Sequence, residues 1–260
     1  MRRALLLAAL AAGPFADPAA ATEVPAEVPE DAGSGWVWQV SPYVWAAGID
    51  GAVSPFRSAP TIPLDLSFGE VLDDLRLGGF VNVWGRRGRF VASADVMYVA
   101  LTDRGEVPAL PGLGPTPGLS ARVDSRQTAA TLLTGWRART GPGLTLDLLA
   151  GLRWWDISTM AAARFGGLSR DWDEDFSWVD PLLGFRAFLP LGERASVLVQ
   201  ADMGLGERRT WQALGTLNYV LTDALSASAG YKALSVDYDE DGHVFDATLR
   251  GPVLGLTWRF

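Results

Sequence analysis

Apolar and polar residues alternate with a period of two along much of this chain, in segments of roughly ten residues. The clearest is 144–156, where Leu144, Leu146, Leu148, Ala150, Leu152 and Trp154 share one face and Thr145, Asp147, Gly151 and Arg153 the other. The pattern recurs over 178–189, 196–205, 211–221 and 225–235. It closes the chain over 246–260, where Pro252, Leu254, Leu256, Trp258 and Phe260 oppose Gly251, Val253, Gly255, Thr257 and Arg259. A less regular alternation marks 36–46, 76–86, 89–101 and 122–139. Each segment predicts a strand with one greasy and one wet face.

The connections fall into two classes. Arg86–Arg87–Gly88, Thr140–Gly141–Pro142–Gly143, Pro190–Leu191–Gly192–Glu193 and Thr222–Asp223 read as tight turns. Between them lie longer links at 47–75, 102–121, 157–176 and 237–245, with a short exception at 206–209. Beyond the N-terminal stretch no window approaches 18 uninterrupted apolar residues, so a helical membrane span is not predicted. Yet 48% of the residues are hydrophobic and 11 are Trp, which suits short alternating strands facing lipid. The expected fold is all-β: an antiparallel, transmembrane, up-and-down β-barrel of about ten strands, with short turns in the periplasm and long loops outside. The count falls to eight if early segments fail and rises to twelve if 53–67 forms its own membrane hairpin; we expect that stretch to extend a loop.

Residues 1–21 read as a secretory signal peptide: Met1–Arg2–Arg3 is basic, Ala4 to Ala12 apolar, and Ala19–Ala20–Ala21 a small-residue cleavage site. Residues 22–35, with Pro25, Pro29, Glu23, Glu27 and Glu30, form a periplasmic N-terminal linker, and 36–260 the barrel. Removing Arg2, Arg3 and Asp17 takes the net charge from −8 to −9. That acidic balance argues against nucleic acid as a partner. Without cysteine, no disulfide framework holds the fold.

The ending Leu254–Gly255–Leu256–Thr257–Trp258–Arg259–Phe260 resembles the C-terminal signature strand of Gram-negative outer-membrane barrels. That resemblance implies recognition by the barrel-assembly machinery. Ser41–Pro42–Tyr43–Val44–Trp45, Gly48, Asp50–Gly51, Asp65–Leu66–Ser67–Phe68 and Asp95–Val96–Met97–Tyr98 resemble a group of uncharacterised proteobacterial outer-membrane barrel proteins. This second resemblance implies location and fold and transfers no catalytic or ligand residue.

Candidate chemistry is sparse. Ser67-x-x-Glu70 has the spacing of a capping box, and Phe68, Val71, Leu72 and Leu75 follow at helical period, predicting one short helix in the first extracellular loop. Such a helix would be a lid or plug at the mouth, or simply pack on the rim. Asp237-x-Asp239-x-Asp241–Gly242 reproduces half of a calcium loop, but position twelve is Thr248 rather than Glu, leaving a weak Ca²⁺ or Mg²⁺ contact near lipopolysaccharide against a solvated acidic hairpin. Otherwise no cofactor is expected. Asp241-x-His243, paired with Asp73/Asp74 or Asp171/Asp173, resembles the aspartate–histidine site of the omptin proteases, with His243, the lone histidine, expected in a solvated loop.

The inward-facing charges carry more. Asp95, Asp147, Arg153, Asp180, Arg186, Asp202, Lys232 and Arg259 mix both signs and are expected to pair across the lumen. They make either a salt-bridged polar core or a narrow water-filled pore; ten strands lie near the side-chain-filled limit. Trp36, Trp38, Trp154, Trp211, Trp258 and Phe260 read as interface anchors, with an aromatic sugar-binding platform as the alternative for the tryptophans. The function expected is a non-enzymatic outer-membrane barrel, structural or a narrow passive channel, in contact with membrane lipid and lipopolysaccharide. The alternatives are a surface enzyme of the omptin or lipid-modifying kind, and a binding or adhesion module working through 102–121 and 157–176.

Overall fold

The computed structural model describes residues 35–54, 57, 61–106, 109–110, 114–115, 118, 120–165, 167–206 and 208–260; the expected signal peptide and all but Gly35 of the expected linker lie outside them. The chain runs β1 (Val37–Trp45), β2 (Gly48–Val53), β3 (Ile62–Leu66), α1 (Phe68–Asp74), β4 (Leu75–Arg87), β5 (Phe90–Glu106), β6 (Ala109–Leu110), β7 (Gly114–Pro115), β8 (Ser120–Arg139), β9 (Thr145–Phe165), β10 (Leu168–Pro190), β11 (Ala195–Gly204), β12 (Arg209–Thr222), β13 (Leu225–Glu240) and β14 (His243–Arg259). Strands β1, β4, β5 and β8 to β14 close into a ten-stranded antiparallel barrel, with β2 and β3 as two additional strands. Closure joins β1 to β14, with Gln39 opposite Arg259, and is tightened by reciprocal backbone bonds between Trp38 and Phe260 of 2.9 and 3.1 Å.

Strand β2 carries on along β14 where β1 stops, pairing Gly48 to Val53 with Arg250 to Phe245, and β3 returns beside it. The stretch 53–67 therefore belongs partly to a β-hairpin built onto the ring, where a loop was expected. Helix α1 follows with both halves of its capping box made: the Glu70 carboxylate accepts the Ser67 N–H at 2.8 Å, and the Ser67 hydroxyl accepts the Glu70 N–H at 3.4 Å. The helix packs beside β2, β3 and β5, buries none of its residues, and contributes nothing to the core, so it is no plug.

The long loops expected at 157–176 and 237–245 are instead strand. Strands β9 and β10 pair continuously out to Phe165 and Leu168, and β13 and β14 to Glu240 and His243. The reason is a change of solvent. On β9 the outward residues Leu146, Leu148, Ala150, Leu152 and Trp154 form a lipid-facing run of about 27 Å along the strand. Past that run the period of two continues with its polarity reversed. On β10 Phe176 and Trp178 point inward and Asp173 and Asp175 outward; on β13 Leu234, Val236 and Tyr238 point inward and Asp237 and Asp239 outward. Above the membrane the outer face meets water, so the apolar side chains go inside.

The β13–β14 hairpin turns on Asp241 (φ 53°) and Gly242 (φ 81°), the Asp-Gly pair favoured where both turn residues need positive φ. A β-branched side chain at Gly242 would be forced into that left-handed conformation. Gly242→Val is therefore expected to destabilise the folded barrel by about 1–2 kcal/mol, measured as a lower guanidinium midpoint for the micelle-folded protein.

Candidate functional site in the barrel lumen

Every lumen charge expected from the sequence faces the interior, and the structure sorts most of them into layers. Nearest the short turns, Asp147 (1% exposed) receives Arg137 Nε at 2.8 Å and lies 3.8 Å from Arg186. Both guanidiniums approach the Trp84 ring, Arg186 at 4.6 Å and Arg137 at 5.8 Å from its centre. One layer up, the Arg153 guanidinium donates to Asp202 at 2.7 Å, to Thr131 at 3.0 Å and to Thr210 at 3.3 Å, tying β9 to β11, β8 and β12. At a similar depth Lys232 donates to the Tyr43 oxygen at 2.8 Å and to Asp95 at 3.2 Å, while Tyr43 and Asn82 also donate to Asp95. Satisfied in this way, buried charges become tolerable in a lipid-embedded wall.

Above these pairs the lumen closes with apolar side chains drawn from both sides of the ring. Trp155 is fully buried and stacks on Trp178 at 5.6 Å, which stacks on Tyr238 at 4.4 Å; Phe245 leans on both tryptophans. Trp155 belongs to β9 and Phe245 to β14, five places apart in the ring of ten, so their contact at 6.1 Å spans the lumen. Trp45, Met97, Ile157, Val236 and Leu249 complete the layer. The switch from polar to apolar falls between Asp95 and Met97, Arg153 and Trp155, Asp180 and Trp178, and Lys232 and Leu234.

The β11–β12 hairpin stops short of its neighbours, and β10 and β13 meet across that notch. Arg208 bridges them, reaching Asp180 at 3.2 Å and Glu240 at 2.6 Å, while the Trp178 indole N–H also donates to Asp180. His243 is not in a solvated loop. It is the first residue of β14, 5% exposed, stacked on Phe176 at 4.6 Å, with Nε2 3.4 Å from Glu174. Asp237 and Asp239 project from the outer face of β13 and Asp241 forms the turn, so their alternate spacing follows from strand geometry rather than a loop wrapped on an ion. Among the described residues no group of three or more acidic, His or Cys side chains is placed to hold a metal ion.

Trp36, Trp38, Trp154, Trp211, Trp258 and Phe260 all lie on the outer face, 36–71% exposed. Trp36 and Trp38 stack at 4.8 Å, and the Trp38 ring lies over Gly85, where any side chain would displace it. On β12 the aromatic limits are Tyr219 and Trp211; on β14 Trp258 stands at one limit and Arg250 at the other, the same number of steps away. Trp136, exposed beside the short turns, belongs to this set and was missed because its segment alternates poorly. Arg137 was missed for the same reason. Of the aromatic layer, Phe176, Tyr238 and Phe245 fall in stretches read as loops, whereas Trp155 and Trp178 fall in stretches read as strand.

Outside the membrane, Asp124 is gripped by Arg122 at 2.6 and 2.8 Å and by the Thr102 hydroxyl at 2.6 Å. Hydrogen bonds from Arg122, then Thr102, then the nearby arginine charges hold its carboxyl below the usual carboxylate range, against the opposing effect of desolvation. A lowered folded-state pKa gives stability that is complete above the unfolded value near 4 and is lost as pH falls towards the folded one. Proteolytic resistance of the β5–β8 extension should thus stay constant from pH 7 to about 4 and decline below it, with Asp124→Asn removing the dependence. In the lumen, Asp202→Asn or Arg153→Met alone is expected to cost about 3–5 kcal/mol, and the pair together much less than the sum, read from denaturant midpoints in a double-mutant cycle.

No protein-family model matches the sequence, and no curated protein matches it. The structure is similar to that of the outer membrane protease OmpT from Escherichia coli, with a TM-score of 0.51 at 11% identity, over 86% of this chain and 96% of that one. It also matches the translocator domain of the autotransporter NalP from Neisseria meningitidis, with a TM-score of 0.44 at 12% identity, over 89% of this chain and 91% of that one. The family resemblance read on Ser41–Trp45 thus has no counterpart at the level of sequence. At such identity the likeness to OmpT speaks for architecture alone, and this chain has the closed antiparallel barrel of outer-membrane proteins.

Proposed function

We propose that this protein is a closed, non-enzymatic barrel of the outer membrane, one that seals its own lumen and presents an acidic outer wall at the cell surface. The short turns then face the periplasm and the extended strands β5, β8, β9, β10, β13 and β14 stand outside. The reading rests above all on the Trp155–Trp178–Tyr238 stack together with the Trp155–Phe245 contact across the ring, which close the lumen directly above the ion pairs. A solute would have to displace fully buried aromatic side chains to pass, whereas a channel keeps a wet path. The lipid-facing aromatic limits favour membrane lipid and lipopolysaccharide as its surroundings. The strand ending in Phe260 is the natural handle for the assembly machinery. The packing of His243 against Phe176 and Glu174 leaves its imidazole committed to structure, which speaks for a non-catalytic protein.

Planar-bilayer recording of the purified, folded protein is the test. The wild type should give no unitary conductance steps, and Trp155→Gly combined with Trp178→Gly should give small ones. Steps from the wild type would replace this reading with a narrow channel.

A further inference from the structure

Strand β10 rises well past its neighbour on one side. Strand β9 runs beside it without interruption to Leu168, whereas β11 leaves it at Leu182, opposite Gly204. Above that point no described strand flanks β10 on the β11 side. Which backbone groups face the gap follows from the last bonds made there. Pro181 O accepts the Leu205 N–H at 2.9 Å and Val179 O accepts from Arg208 Nη2 at 3.4 Å, so residues of odd number turn their peptide groups to that side. The N–H and C=O groups of Asp173, Asp175 and Ser177 therefore stand open, along with the Val179 N–H, over a stretch of about 24 Å. Pro181 shares their parity, as suits a residue without an N–H at an edge. Arg208, held by Asp180 and Glu240, forms the floor of the gap.

The side chains that border this edge on the outer face have one sign. Asp171, Asp173 and Asp175 all point outward and are exposed, and their β9 neighbours on that face are the neutral Ala162, Met160 and Ser158. None of the three carboxylates has an ion-pair partner among the described residues. On the inner face the same stretch presents Phe176, partly buried, and Trp178, buried. Aspartate is poorly suited to a strand, and an open edge invites further pairing. A second copy laid antiparallel along this edge would set aspartate against aspartate, and like charges directly opposite destabilise a pair of strands. A strand with Lys or Arg at alternate positions would instead gain charge pairs on the outer face while its backbone pairs with the edge.

We propose that the open edge of β10 is a docking site for an extended peptide segment of another protein, basic at alternate positions and added as an antiparallel strand along Asp173 to Ser177. Its basic residues lie opposite Asp173 and Asp175 and exchange backbone hydrogen bonds with them, and its intervening residues turn inward toward Phe176. The aspartates both exclude a second copy and select the partner. The setting at the cell surface rests on the proposed function. The docking itself does not need a closed lumen, so conductance and peptide binding stand or fall separately.

The test is fluorescence anisotropy of a labelled nonapeptide alternating lysine and valine, titrated with the full chain folded in nonionic micelles at neutral pH and constant ionic strength. Binding should saturate at one peptide per chain. In the proposed pairing the lysines turn their peptide groups to β10 and the valines turn theirs away. Methylating the lysine backbone amides keeps every charge and should weaken binding at least about tenfold, whereas methylating the valine amides should leave it within about twofold. Ser177→Pro removes one edge N–H without touching the pairing with β9, and should weaken binding about fivefold. If that variant does not fold, Asp173→Asn together with Asp175→Asn, both on the outer surface, should weaken binding about fivefold. The proposal is overturned if the unmodified peptide does not bind, if the two methylated peptides bind alike, or if the variants that fold bind like the wild type. A wild-type dimer that Ser177→Pro dissolves would give the edge to a second copy and overturn it as well.

Discussion

One constraint organises the molecule: the same wall stands in two solvents. Where the outside is hydrocarbon, backbone polar groups must all be satisfied within the sheet, so the sheet must close and its greasy face must turn outward. Where the outside is water, the hydrophobic effect turns that face inward again. A period-two strand satisfies both demands by reversing which of its two faces is apolar, without changing its backbone. The reversal occurs at neighbouring positions on β5, β9, β10 and β13, and it divides the interior into an ionic half and an aromatic half.

The two halves solve different problems. In the ionic half, lumen side chains cannot be apolar throughout without erasing the distinction between inside and outside on which register depends. Polar residues restore it, and pairing removes most of the penalty of burying their charges. In the aromatic half the usual rules of a soluble core apply, and stacked rings fill the space that the taller strands enclose. The capping-box helix and the β2–β3 hairpin are additions to the outer rim rather than parts of either core.

What could be read from residues alone follows the same division. Strands within the membrane were legible because their outward face is apolar and their inward face mixed, so 144–156 and 246–260 declared both their period and their orientation. The lumen charges were legible from that parity alone, as Arg153 and Asp202 show. Above the membrane the expected signature is inverted. Phe176 and Tyr238 alternate with acidic residues in what looks like loop sequence, and the Asp237-x-Asp239 spacing then imitates an ion-binding loop. His243 was misplaced by the same reasoning, since a histidine after Asp-Gly looks solvated until the strand is seen to resume at once. Partners such as Arg137 with Asp147, or Lys232 with Asp95, depend on shear and register across the ring, which no local pattern encodes.

The seam between β1 and β14 sets the order in which the molecule can be completed. The first strand of the ring has its second neighbour only in the last, so until β14 folds β1 presents an open ribbon edge with unclaimed amides, the kind of edge that invites aggregation. Ring closure also joins the most distant parts of the sheet, which makes it the slowest pairing for a free chain to find. Until the trailing edge arrives, the leading edge of such a wall stays unprotected.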